Sequence, residues 1–140
     1  MKNILFKLMT STVLLFTVGS GLEAQSTRMQ AAVPFAWQVD GQHLNAGDYV
    51  IARDTVAHVI RISDKATGKG LFLTPIPVSE NNAATRLVFH RYGDQYFLAE
   101  VVAPGVAGKL RVSPAEREAM QSLDRREMAT IFIDIRPVLN

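Results

Sequence analysis

The chain has 140 residues, room for one ordinary domain but not two, and its 48% hydrophobic and 20% charged residues are those of a globular protein. It has no cysteine, which excludes disulfides, thiolate metal sites, cysteine nucleophiles and a lipid-modified N-terminal cysteine. The net charge is only +2 and the basic residues are scattered, with Arg125-Arg126 the only adjacent pair, so the basic face of a nucleic-acid binder is missing.

Lys2 and Lys7 precede an uncharged, largely apolar run, Leu8 to Val18, which ends in Gly19-Ser20-Gly21-Leu22-Glu23-Ala24. A positive start, about eleven apolar residues and a small residue before a polar junction is the layout of a secretory signal peptide, with cleavage expected after Ala24. The run falls short of the roughly 20 residues a spanning helix needs, and the mature chain holds no longer one. Beyond it remain 13 basic and 12 acidic residues. The expected layout is a signal peptide over 1–24, a flexible leader over 25–31 and one β-rich domain over 32–140.

From Ala32 onward, short apolar runs separated by turn residues predict successive strands. Val33, Phe35, Trp37 and Val39 alternate along the first, with Pro34 at its start or edge. Asp40-Gly41 supplies the two positive-φ positions of a tight hairpin, and Gln42-His43-Leu44 returns. After the turn Asn45-Ala46-Gly47-Asp48, strands are expected at Tyr49 to Arg53 and Val56 to Ile62. A polar turn over 64–69 then leads to Leu71-Phe72-Leu73. Pro75-Ile76-Pro77 with Ser79 to Asn82 reads as the main loop. Ala84 to Arg91 and Gln95 to Val102 flank Gly93-Asp94; a two-residue turn there sets His90 opposite Phe97, and Arg91 opposite Tyr96, on which it would stack. Pro104 to Gly108 should break the sheet.

A helix is predicted over about 113–123. Ser113-Pro114-Ala115-Glu116 forms a capping box in which Glu116 reaches back to the cap amide, and Ala115, Ala119, Met120 and Leu123 line one face. The last strand, about 129–136, turns Ile131, Ile133 and Ile135 one way and Thr130, Phe132, Asp134 and Arg136 the other. The expected fold is mainly β: a small antiparallel β-sandwich or partly open barrel, with its one helix in the C-terminal half and a closing strand.

Two stretches carry a resemblance. Pro34-Phe35-x-Trp37-x-Val39-x-Gly41-x-x-Leu44-x-Ala46-Gly47-x-Tyr49 is similar to a pattern near the start of many small secreted bacterial proteins of uncharacterised function. Leu87-Val88-Phe89-His90-Arg91-Tyr92-Gly93-Asp94-x-Tyr96-Phe97-Leu98 resembles the second signature of that group, which a Ser-x-x-Glu helix also follows. Asn45 stands where the group often has Pro, and Trp37 where it often has Phe. The resemblance implies secretion and a β fold, and brings no activity with it.

Chemistry-bearing residues are few. His43, His58 and His90 show no H-x-H or H-x-x-x-H spacing for a metal, and no G-x-S-x-G elbow, phosphate loop or dinucleotide fingerprint is present; no cofactor is called for. The densest polar-aromatic cluster is His90 to Asp94, whose His90, Tyr92 and Asp94 are the candidate binding residues at one hairpin end. Alternation places His90 and Tyr92 on one face and Arg91 on the other. Glu100 and Asp134 interrupt apolar strands and are expected to face water, while Phe132 and Tyr92 are apolar or aromatic on faces that should be wet. The leading expectation is a non-catalytic binding or structural module, periplasmic or extracellular, whose partner is an envelope or extracellular macromolecule. The alternative is a small hydrolase or metal-dependent enzyme using His90 with Asp94 or Glu100.

Overall fold

The computed structural model describes residues 28–54, 58–79, 84–124 and 127–138. The expected signal peptide and the start of the leader lie outside these residues. The described chain builds two β-sheets packed face to face with one helix, as the strand-and-turn pattern predicts for a sandwich or partly open barrel.

The first sheet has the order β12-β1-β4-β5-β6, formed by β12 (Arg136–Pro137), β1 (Arg28–Val33), β4 (Gly47–Asp54), β5 (Val59–Asp64) and β6 (Gly70–Leu73). The second runs β11-β8-β9-β10-β7, from β11 (Met128–Asp134) through β8 (Arg86–Tyr92), β9 (Gln95–Ala103) and β10 (Val106–Lys109) to β7 (Ile76–Pro77). The hairpin of β2 (Trp37–Val39) and β3 (Gln42–Leu44) joins it through a parallel pairing of Gln38 with Phe97.

Inward-facing residues of both sheets make the core. Met29, Ala31 and Val33 of β1, Tyr49 and Ile51 of β4, and Ile60 and Ile62 of β5 meet Trp37, Leu87, Phe89, Leu98 and Val101 from the second sheet. At its centre Trp37 packs edge-on against Tyr49 and Phe89, with centroids 5.2 and 5.5 Å apart. Edge-to-face contacts of this kind suit the ring quadrupoles. The Tyr49 hydroxyl donates to the carbonyl of Asn45 at 2.5 Å, tying β4 to the turn before it.

Several turns form as their residues dictate. Asp40 and Gly41 have φ of 49° and 75°, the doubly left-handed pair of a tight hairpin. Gly93 (φ 61°) opens the β8–β9 turn, and the register places His90 opposite Phe97 and Arg91 opposite Tyr96, as expected. Tyr96, however, stacks on Phe35, with centroids 3.9 Å apart, and not on Arg91.

Other expectations are corrected. The supposed leader is β-strand from Arg28, because a full row of partners awaits it: six residues of β4 on one side and Arg136 and Pro137 on the other. The strand expected over 33–39 is broken at residues 34–36, where the chain passes from the first sheet to the second. His58 is not a strand residue; it is an exposed turn residue with φ 51°. Ile76–Pro77 is a short edge strand, and Gly105 (φ 72°) turns β9 back into β10, so the sheet continues where Pro104 to Gly108 should have broken it. The closing strand divides into β11 and β12 at the buried Ile135, and the two parts pair with different sheets.

The helix α1 (Pro114–Ser122) lies on the outer face of the second sheet. Ser113 caps it, its Oγ accepting from the Glu116 amide at 3.1 Å. Ala119, with Ala115 and Leu123, packs on Tyr92, Phe97 and Met128. Met120 is 42% exposed; the inward position one turn before it belongs to Glu116.

Candidate functional site

Alternation along β8 sends Leu87 and Phe89 into the core and leaves Val88, His90 and Tyr92 on the outer face. Along β9 the alternation changes phase. Val88 pairs with Glu100 and Phe89 with Leu98, leaving Ala99 without a counterpart. This is a β-bulge, and its carbonyl accepts instead from the Leu110 amide at 2.8 Å. Leu98 and Val101 both enter the core, while Ala99 and Glu100 both face outward. Were the strand to alternate regularly through Ala99 with no bulge, Glu100 would share the inward face of Leu98.

The outer face so formed carries an open groove of about 390 Å³. Val88 and Ala99 form its floor. Thr130 and Phe132 of β11 line it together with Arg86, Glu100, Lys109, Leu110 and Val112, and His90 and Glu116 lie where it meets α1. The Arg86 guanidinium lies over the Phe132 ring, 4.3 Å from its centroid. Phe132 is 53% exposed, as its place on the wet face of the last strand predicts.

Glu116 is only 4% exposed and does not close the capping box. Its Oε1 turns to the sheet, accepting from the Tyr92 hydroxyl at 3.1 Å and lying 3.0 Å from His90 Nδ1. A carboxylate only accepts, so Nδ1 is the nitrogen that donates to Glu116, and the other ring nitrogen, Nε2, has no partner among the described residues. The 3.5 Å approach of the Tyr92 hydroxyl to Nδ1 is therefore a contact between two donors that share one acceptor. Burial, the Glu116 charge and the hydrogen bond to it push the Tyr92 hydroxyl up to about 12. Tyr92 is thus buried, not wet: α1 covers the face that alternation alone leaves open.

Of the candidate binding residues, His90 and Tyr92 come together, and Asp94 lies apart in the exposed turn. The carboxylate that holds His90 is Glu116, neither Asp94 nor Glu100, although Glu100 lines the same groove. Among the described residues, no three His, Asp or Glu side chains are grouped to hold a metal ion, and no helix is long and apolar enough to cross a membrane. No protein-family model, curated protein or solved structure matches the chain.

Proposed function

We propose that this is an exported, non-catalytic binding module of the cell envelope or extracellular space, which holds a macromolecular partner in the groove on the outer face of its second sheet. The groove is the observation that carries this reading: an apolar floor bordered by charged side chains, the usual make-up of a recognition site. The signal-like first 24 residues and the resemblance to small secreted proteins support export. The test is retention of solubilised envelope components on the immobilised protein and on its Ala99→Arg variant, in which a long side chain fills the groove from its floor. A component held by the parent and depleted at least tenfold by the variant, with unchanged melting, supports the reading. Equal retention, or none, refutes it.

One observation favours a second reading. His90, oriented by Glu116 and with Nε2 free, faces a groove that also contains Thr130, its neighbour across the β8–β11 ladder. A carboxylate-oriented imidazole is the base half of a hydrolytic site. Turnover of ester or amide substrates that His90→Gln abolishes, with binding intact, would replace the binding module with an enzyme.

A further inference from the structure

Arg86 is the one groove residue with an unmet demand that names a ligand. Its guanidinium lines the groove beside the Phe132 ring, and with Nε buried beneath it the Nη groups are the ones left to meet a ligand, for among the described residues it makes no side-chain hydrogen bond. Asp134 stands across from it on β11, yet among the described residues Arg86 forms no ion pair. A guanidinium fixed in this way offers two parallel N–H groups, the geometry that takes a carboxylate bidentately. We infer that the groove binds the free C-terminal end of a protein chain, its terminal carboxylate on Arg86 and its last apolar side chains over Val88 and Ala99. This rests on the groove being the contact surface and adds which part of the partner it takes.

The other charges of the groove decide for a peptide over a fatty acid. Lys109 and Glu100 face each other across the β9–β10 ladder without forming an ion pair, so one donor and one acceptor stand side by side along the groove's border. A peptide backbone carries both a carbonyl to accept from Lys109 and an amide to donate to Glu100. A hydrocarbon chain would dry both charges and pair neither, which is costly. Leu110, Val112 and Phe132 supply apolar walls, and about 390 Å³ accommodates the last two or three residues of a chain.

The test is calorimetric titration of the full mature chain with N-acetylated alanyl-valyl-leucine, its C-terminal amide, and octanoate. The free acid should bind at least tenfold more tightly than the amide and should shift the amide resonances of Val88, Ala99 and Glu100. Arg86→Gln should abolish the difference between acid and amide, and Arg86→Lys, charged but without the fork, should restore only part of it. Equal binding of acid and amide, binding of neither, tighter binding of octanoate, or a tenfold preference that survives Arg86→Gln overturns the inference. Loss of envelope retention in Ala99→Arg alongside any of these results would leave the groove as a contact surface and remove only the carboxylate assignment.

Discussion

Replacing Glu116 with alanine removes the one side chain that joins α1 to β8 by hydrogen bonds. Two donors meet its Oε1, Tyr92 at 3.1 Å and His90 at 3.0 Å, and hydrogen bonds to a charged group contribute about 1.5–3 kcal/mol each. The two losses are unequal. Tyr92 is 6% exposed, so its hydroxyl would be left buried without an acceptor, whereas the His90 side chain is 41% exposed and water can replace its partner. Relief of the buried carboxylate's desolvation offsets part of the loss. The net expectation is a destabilisation of about 2–3 kcal/mol, read as a lower urea midpoint at unchanged slope and a melting temperature lower by roughly 10 °C. Glu116→Gln, which keeps an acceptor for Tyr92, should cost about 1 kcal/mol. A double-mutant cycle with Tyr92→Phe should show coupling of about 1 kcal/mol or more. A loss below about 0.5 kcal/mol for Glu116→Ala, or full additivity in the cycle, would refute the view that this network holds the helix down.

Three further outcomes are expected. Phe89→Ala, at a fully buried position in edge contact with Phe35 and Trp37, should cost about 3–5 kcal/mol in denaturant unfolding. The folded state holds the Tyr92 proton up to about 12 against an ordinary 10, so its contribution is complete below pH 10 and is lost as pH rises from 10 through about 12; Tyr92→Phe should flatten that alkaline limb in urea midpoints measured from pH 9 to 12. Deleting Ala99 should remove the bulge yet leave Leu98 and Val101 inward and Glu100 outward by plain alternation, so a cooperative near-ultraviolet melting transition should persist; its loss would show that the bulge itself is required.

Local chemistry made much of the fold legible. Asp40-Gly41 and Gly93-Asp94 encode turns whose geometry fixes the register beside them, and Ser113-Pro114 encodes where the helix begins. What stayed hidden depends on distant partners. Arg28 to Ala31 is too polar to read as a strand, and extends because β4 and β12 lie ready on its two sides. Glu116 fits a capping box by spacing, yet a hydroxyl and an imidazole 24 and 26 residues earlier claim its carboxylate. At Ala99 a trace was present: regular alternation from an inward Leu98 would carry Glu100 into the core with it, and a bulge keeps that carboxylate on the outer face. Half of the candidate site, His90 and Tyr92, was therefore visible, and the groove beside it was not.

The pairing of Met29 with Pro137 and of Gln30 with Arg136 joins strands separated by more than a hundred residues. Such contacts raise the contact order, and their loop-closure entropy must be met before they form. A nascent chain emerging from the ribosome can assemble the β4–β5–β6 meander and the β8–β9 hairpin early, but it leaves one side of β1 open and the core uncovered at Ile135 until β12 arrives. The fold is thus sealed last where β12 meets β1, and a chain stopped short of Arg136 keeps that edge of the first sheet open.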